Sequence, residues 1–194
     1  MVEQLIRNEQ VVGSSPIGGF FYIMAFRLII WILFIFGGLA LGIVIDLKYF
    51  PEMWHLWQWH VLSFLWGAFL LRIVMTISKN TGRILAKHGR KGDVPRMETN
   101  HLVKKGPYGC MRHPMHLGLF LFPVAFAFLS GSVSFIILIA PLEILIMLIM
   151  IFTIEEPEAI RKFGTEYLSY KQQVPAFNVR LKCLKILLKP VPKQ

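Results

Sequence analysis

Residues 17–45 read IGGFFYIMAFRLIIWILFIFGGLALGIVI and carry a single charge, Arg27. Because about 20 apolar residues suffice for a helix to cross a bilayer, this block predicts a membrane span. Three further apolar blocks follow at about residues 54–77, 115–129 and 133–154. Hydrophobic residues make up 55% of the chain against 16% charged, and their arrangement in long blocks indicates lipid as the solvent. The predicted fold class is all-α: a polytopic transmembrane helical protein of four to five spans in one domain, residues 1–194.

The net charge of +10 lies mostly beside the apolar blocks. Such a distribution is typical of contacts with anionic lipid headgroups. It lacks the basic strip interleaved with aromatic residues that binds nucleic acid, so membrane lipids are expected partners and nucleic acid is not. The stretch 78–112 and the tail after residue 154 are strongly basic, whereas the short connectors at 46–52 and 130–132 are not. The positive-inside rule therefore predicts a multi-pass protein with both termini and the active site facing the cytoplasm.

Lys79, Arg83 and Lys87 recur every four residues directly after the second block. On a continued helix they share one face, where like charges repel unless an anion neutralises them. The pattern fits a face that contacts solvent or headgroups, and it also fits a site for a phosphate or carboxylate.

The sequence argues against a disulfide-stabilised domain and against a cleaved signal peptide. Cys110 and Cys183 are too few and too far apart for a disulfide framework. Nothing before Ser15 resembles a cleaved signal peptide, so the first block is expected to stay as a span.

Two polar segments contain the candidate residues for a functional site. The first, residues 101–118, contains turn-forming glycines and places His113 before Pro114 at a helix start, where exposed N–H groups attract carboxylates. The second, residues 154–170, starts with Glu155 and Glu156 and continues at the spacing of an amphipathic helix. Paired carboxylates at a bilayer boundary need cationic or hydrogen-bonding partners. Both segments also fit ordinary helix starts, but both begin at cytoplasmic ends of spans and can converge.

These segments carry a resemblance to a known family. Its motifs are Arg112-His113-Pro114 followed by Gly118, then Glu155-Glu156, Phe163-Gly164, Tyr167, Tyr170 and Val174-Pro175. Their order and spacing resemble the isoprenylcysteine carboxyl methyltransferase family, whose wider grouping includes the membrane phospholipid methyltransferases. The match covers about residues 100–175, and the chain resembles a prokaryotic member.

The resemblance implies a methyltransferase that uses S-adenosylmethionine, releases S-adenosylhomocysteine and has its catalytic half at about residues 97–180. The cofactor-binding residues that it implies are His101, Leu102, Val103, Gly106, Tyr108, His113, Met115, Glu155 and Glu156. Arg112 and Glu156 are the implied catalytic residues, with Arg112 either pairing with an acid or orienting the substrate carboxylate. The expected pocket is cytoplasmic and is formed by the connector between spans 2 and 3 and the C-terminal amphipathic helix. The expected methyl acceptor is the carboxylate of a prenylated cysteine or a similar lipophilic molecule.

One position departs from the family pattern: His116 stands where an aromatic residue, commonly Tyr, is expected. The departure weakens the assignment to prenylcysteine and leaves open the methylation of a phospholipid or another amine. Arg161 has no counterpart in the motif.

The sequence has three alternative interpretations: a sterol reductase, a small transporter or structural protein, and a metal-binding protein. A sterol reductase has a similar carboxy-terminal architecture, but this chain has the Glu155-Glu156 pair and no nicotinamide fingerprint. A small transporter or structural protein would explain ionisable residues within apolar blocks, with Glu143 pairing with Arg27 or Arg72. Cys110, His113 and His116 have a spacing that could gather a metal, but Pro114 breaks the helix and a fourth ligand is not evident, so no metal is expected.

Overall fold

The computed structural model describes the backbone of residues 16–92 and 99–190, with side chains from residue 29 onward. Asp93, Arg96, Glu98 and the side chain of Arg27 therefore lie outside the described part. Within it the regular structure is helical, which confirms the all-α prediction. The first helices are α1 (Pro16–Tyr49), α2 (Pro51–His55), α3 (Trp57–His88), α4 (Pro107–Cys110) and α5 (Pro114–Ser130). The later ones are α6 (Ala140–Met150), α7 (Glu156–Phe163), α8 (Thr165–Gln173) and α9 (Leu181–Leu188).

The chain divides into two compact units, Met1–Gly37 and Gly38–Gln194. The second unit holds every residue that the sequence assigns to the site. The contacts that position the site all lie within this second unit.

Three helical segments are long and apolar enough to span a membrane: Ile29–Tyr49, Trp57–His88 and Phe135–Phe163. Helix α5 is apolar but shorter, at 17 residues. The count of four or five spans thus stays a prediction. Helix α3 continues 11 residues beyond Ile77, where the second apolar block ends, and at 1.5 Å per residue this extension carries its end about 16 Å further.

The last apolar block and the acidic segment after it form one continuous helical segment instead of two helices. π-helical turns at Phe135–Ile139 and Ile151–Glu155 flank α6, and α7 follows without a break. The second π turn bonds the Glu156 N–H to the carbonyl of Ile151, five residues earlier. Pro157 does not begin a separate helix, because the π turn carries the helical segment through the proline. Glu155 and Glu156 are thereby fixed on a rigid element.

Helices α3 and α5 pack closely through small residues. A Cβ atom on Gly67 of α3 would lie 2.5 Å from the backbone nitrogen of Leu129 and 2.9 Å from the carbonyl oxygen of Ala125. The hydroxyl of Ser63 donates to the carbonyl of Phe128 at 2.6 Å. In lipid, such close backbone approach is how helices gain packing energy.

Replacing Gly67 by alanine should therefore destabilise the protein by about 1–3 kcal/mol, because the added methyl overpacks the contact with α5. Thermal unfolding in detergent micelles measures the change. Gly82→Ala is the matched control, since a Cβ there meets nothing within 4 Å. Equal melting temperatures for the two variants would contradict the close packing.

The Ser130-Gly131-Ser132 turn forms as predicted. Gly131 adopts a left-handed conformation with φ of 71° and ends α5. Its carbonyl accepts a hydrogen bond from the Trp59 indole at 2.7 Å. Nearby, the buried Asp46 accepts from the backbone N–H of Ser134 at 2.8 Å. These contacts join the two non-basic connectors at one end of the unit.

Candidate functional site

Hydrogen bonds join the first predicted segment, 101–118, to the second, 154–170, and to the chain that follows it. The N–H of Arg112 donates to the carbonyl of Pro175 at 2.9 Å, and the N–H of His113 donates to that of Ala176 at 3.1 Å. The hydroxyl of Tyr170 donates to the carbonyl of Tyr108 at 2.5 Å. The connector before α5 is thus held against the chain that follows α8.

Replacing Tyr170 by phenylalanine should cost about 1–3 kcal/mol, because the buried carbonyl of Tyr108 loses its donor. Thermal unfolding in detergent checks this value. Tyr49→Phe is the control, since Tyr49 is 64% exposed. Equal losses of stability in the two variants would show that the hydrogen bond does not hold the connector.

Glu156 is the centre of a buried ionic network. Its side chain is 3% exposed and its Oε1 accepts from Nε of Arg112 at 3.0 Å and from Nη2 at 2.5 Å. Nζ of Lys171 contacts Oε2 at 2.6 Å, and Nε2 of His113 lies 3.2 Å from Oε1. A buried carboxylate requires such partners, since desolvation without them is costly. This network joins α7, α8 and the residues that precede α5.

The guanidinium of Arg112 makes further bonds beyond Glu156. Nη1 donates to the carbonyl of Val174 at 2.7 Å and to that of Lys171 at 3.1 Å. Of the two roles implied for Arg112, the structure therefore shows the pairing with an acid. By bonding Glu156 and these two carbonyls, Arg112 holds the end of α8 beside Glu156.

A second His–Glu pair lies beside the network. Nε2 of His116 is 3.0 Å from Oε1 of Glu155, and the side chains are 22% and 34% exposed. The rings of His113 and His116 meet edge to face at 5.6 Å. Burial lowers the pKa of His113, against the opposing effect of Glu156. This shift favours the neutral imidazole of His113. The His116–Glu155 pair is more exposed to water than Glu156 is.

A cavity of about 170 Å³ opens next to these groups. Seven of the residues implied by the resemblance line it: His101, Leu102, Val103, Tyr108, Arg112, His113 and Glu155. Glu156, Gly106 and Met115 are not part of the lining, although Glu156 contacts Arg112 and His113, which are. Gly106 instead has a φ of 60° and precedes α4, a conformation that favours glycine.

Two of the tyrosines that line the cavity have buried hydroxyls without a hydrogen-bond partner among the described residues. The hydroxyl of Tyr108 is buried and makes no hydrogen bond to any residue that the structure describes. The hydroxyl of Tyr167 lies near Arg112 without a hydrogen bond of good geometry to a described residue. Burial raises the pKa of both tyrosines, so both hydroxyls are protonated donors. Because buried polar groups are normally paired, these hydroxyls suit a polar ligand in the cavity.

Several site residues were missed by sequence reasoning. Lys171 completes the Glu156 network, and Leu85, Thr99 and Ala159 line the cavity. Tyr167 and Tyr170 are motif positions of the resemblance, but the sequence assigns neither of them a role in the site. Their place in the motif was the signal available for them, whereas one lysine among 21 basic residues gave none.

The two cysteines are joined as a disulfide. Cys110 at the end of α4 bonds Cys183 in α9, with 5.8 Å between their Cα atoms. The sequence interpretation considered only a disulfide framework, so it missed this single link. The link fixes α9 beside the connector that holds Arg112 and His113.

The structure tests the ion pair that the transporter interpretation expects between Glu143 and Arg27 or Arg72. Glu143 is buried, and neither oxygen has a hydrogen-bond partner among the described residues, so the expected pairing with Arg72 is wrong. The pairing with Arg27 lies outside the described side chains.

The ligand atoms of His113, His116 and Glu155 lie within 4.8 Å of one another, a spacing that a metal ion could use. Cys110 is not in that group, because its sulfur is in the disulfide.

Comparison with known proteins identifies the family. The family model described as phospholipid methyltransferase matches residues 60–166, from the start of α3 to the start of α8. This range includes Arg112, His113 and the Glu155-Glu156 pair, and it covers more than half of the chain. No curated protein and no solved structure matches the chain. The chain therefore belongs to the phospholipid methyltransferase family of integral membrane methyltransferases, which includes the isoprenylcysteine carboxyl methyltransferases.

Proposed function

We propose that this protein transfers a methyl group from S-adenosylmethionine to the polar head of a lipophilic acceptor in the membrane, at a site facing the cytoplasm. The observation that carries the proposal is the convergence of His113 and Glu155 on one cavity, beside the buried Arg112–Glu156 pair. The two segments are more than 40 residues apart in sequence and meet at the end of the apolar helices.

The cavity has the chemistry that a sulfonium nucleoside requires. The carboxylate of Glu155 lines the wall and suits a positive charge, and the hydroxyl of Tyr108 can donate to the ligand's oxygen or nitrogen atoms. Leu102, Val103 and Phe163 provide apolar surface for a ring. When bound, S-adenosylmethionine supplies an electrophilic methyl group.

The protein's part in the reaction is the orientation of the reactants. The Glu156 network fixes the connector against α7 and α8, so the walls of the cavity hold a defined geometry. Holding reactants in line contributes several kcal/mol to catalysis.

The first candidate acceptor is the carboxylate of a prenylated cysteine or a similar lipophilic acid. Such an acceptor needs no general base, because it is already ionised at pH 7. Since Arg112 is bonded to Glu156 and to two carbonyls, another donor would orient this carboxylate.

The second candidate is the amino group of a phospholipid, which is favoured by the His116–Glu155 pair. An ammonium group must lose a proton before it attacks, and a positioned His or Glu can accept that proton. The pair is half-buried, and Glu155 lines the cavity. The description of the matching family agrees with this acceptor.

Incubation with methyl-labelled S-adenosylmethionine separates the candidates. Purified protein in lipid nanodiscs is given farnesylated cysteine or phosphatidylethanolamine, and the lipid product is then treated with base. Label released by base indicates a methyl ester, and stable label with phosphatidylethanolamine indicates an N-methyl product. No label in any lipid, with folded protein and a membrane lipid extract as further acceptor, would contradict the proposal.

A further inference from the structure

Three side chains of the kind that bind metal ions meet beside the cavity of about 170 Å³: His113, His116 and Glu155. Each offers one ligand atom, and these atoms lie within 4.8 Å of one another. Nε2 of His116 and Oε1 of Glu155 are 3.0 Å apart. The ligand atoms of a tetrahedral zinc ion are about 3.3 Å apart, because each lies about 2.0–2.1 Å from the metal. The group therefore has nearly the dimensions of a metal site.

Helical elements hold the three side chains in place. His113 precedes α5 and His116 lies in the first turn of that helix. Glu155 ends the π turn between α6 and α7. The buried Arg112–Glu156 pair joins these two elements. A metal ion would thus meet ligands whose backbone positions are fixed by tertiary contacts.

The surroundings of the group also suit a metal ion. A metal-bound imidazole usually gives its second nitrogen to a carboxylate, which orients the ring. His113 has such a carboxylate in Glu156, whose Oε1 lies 3.2 Å from Nε2. His113 and Glu155 both line the cavity, so water in the cavity can provide a fourth ligand. Three protein ligands and one water are the usual coordination of zinc at sites that are open to a cavity.

The types of ligand indicate the class of ion. Two imidazoles and one carboxylate suit Zn²⁺ and related transition metals, whereas Mg²⁺ and Ca²⁺ prefer oxygen ligands. Sequence spacing grouped Cys110 with the two histidines, but its sulfur is in the disulfide. Glu155, 39 residues beyond His116, is the third ligand instead.

We propose that His113, His116 and Glu155 bind a divalent ion of the zinc class, and that an ion bound there excludes the methyl donor. The second part rests on the proposed function, in which His113 and Glu155 hold the donor. The ion and the donor need the same side chains, and the contact between His116 and Glu155 is exchanged for bonds to the ion. A dication also repels a sulfonium in the same cavity. The bound ion is thus an inhibitor of methyl transfer.

The test measures metal binding by the full chain in detergent, after purification through a tag that contains no histidine. Co²⁺ is the first probe, because its visible absorption reports tetrahedral coordination, and Zn²⁺ and Mg²⁺ are then titrated as competitors. His116→Phe removes one ligand and keeps an aromatic ring. His55→Phe is the matched control, since His55 is an exposed histidine at the end of α2 and is outside the group.

We expect the wild type and His55→Phe to bind one Zn²⁺ per chain, and Mg²⁺ to leave bound Co²⁺ in place. His116→Phe should bind Zn²⁺ about 100-fold or more weakly, because losing a ligand costs more than the roughly 10–100-fold that losing a supporting carboxylate costs. Glu155→Gln is a second variant that keeps the shape of the side chain, and it should show the same loss. Equal Zn²⁺ affinity in the wild type and both folded variants would overturn the site, as would no Zn²⁺ binding by the folded wild type.

A separate titration of S-adenosylhomocysteine tests the exclusion of the donor. With Zn²⁺ at about ten times its Kd, mutually exclusive binding should weaken the apparent affinity of the wild type about tenfold. The same Zn²⁺ concentration should have no effect on His116→Phe. Simultaneous binding of Zn²⁺ and S-adenosylhomocysteine without mutual effect would overturn the exclusion. Wild-type protein that binds Zn²⁺, yet binds no S-adenosylhomocysteine even without metal, would reject the proposed function and leave the metal site standing.

Discussion

Replacing Glu156 by glutamine is expected to lower the free energy of unfolding by about 3–5 kcal/mol and to abolish methyl transfer. The substitution removes the charge that Arg112 and Lys171 both contact and leaves a guanidinium that is 8% exposed without its carboxylate. Breaking one partner of a buried pair costs more than the pair contributes, because the other charge stays desolvated. Thermal unfolding in detergent and transfer of labelled methyl measure the two effects.

Glu166→Gln is the stability control for this prediction. Glu166 also loses a lysine partner, but both side chains are almost half exposed, at 49% for Glu166 and 43% for Lys104. Exposed pairs contribute about 1 kcal/mol or less. A Glu156→Gln protein as stable and as active as this control would refute the central position of Glu156.

Replacing Cys110 and Cys183 by serine is expected to reduce stability by about 4 kcal/mol under oxidising conditions. The link joins residues 73 positions apart, and closing a loop of this length removes much conformational entropy from the unfolded chain. Loss of the link should also loosen α9, whose Leu187 carbonyl accepts from the Asn80 side chain at 3.0 Å. Unfolding temperatures with and without reductant measure the effect.

Reductant should lower the melting temperature of the wild type to that of the double serine variant and should leave the variant unchanged. Labelling with a maleimide before reduction should find no thiol in the folded wild type. Free thiols in oxidised protein, or a melting temperature insensitive to reductant, would show that the sulfurs are not bonded.

The sequence predicted the helical class and the segments that form the site because both depend on local patterns. Apolar blocks define helices in lipid whatever their partners. Pro114 does start α5, and His113 and Glu155, which match the family motif, line one cavity. The helical class needed only the composition of each segment, whereas the individual site residues were implied by the resemblance to the family motif.

The remaining features depend on tertiary contacts that no local pattern encodes. Lys171, which completes the Glu156 network, lies 15 residues away on the next helix. It reaches Glu156 because the chain turns at Gly164, between α7 and α8. The π turn before Glu156 overrides the usual reading of a proline as a helix start. Likewise, Lys87, Lys91 and Lys105 line one cavity of about 460 Å³ because the end of α3 lies beside the connector that leads to α4.

The most direct test of the account is titration of S-adenosylhomocysteine into the detergent-solubilised protein by calorimetry. We predict saturable binding by the wild type and binding about 100-fold weaker after His113→Ala and Glu155→Ala together. Each substitution removes hydrogen bonding to a charged group that contributes about 1.5 kcal/mol or more. Equal binding by the folded double variant, or no binding by the folded wild type, would contradict the assignment of this cavity to the methyl donor.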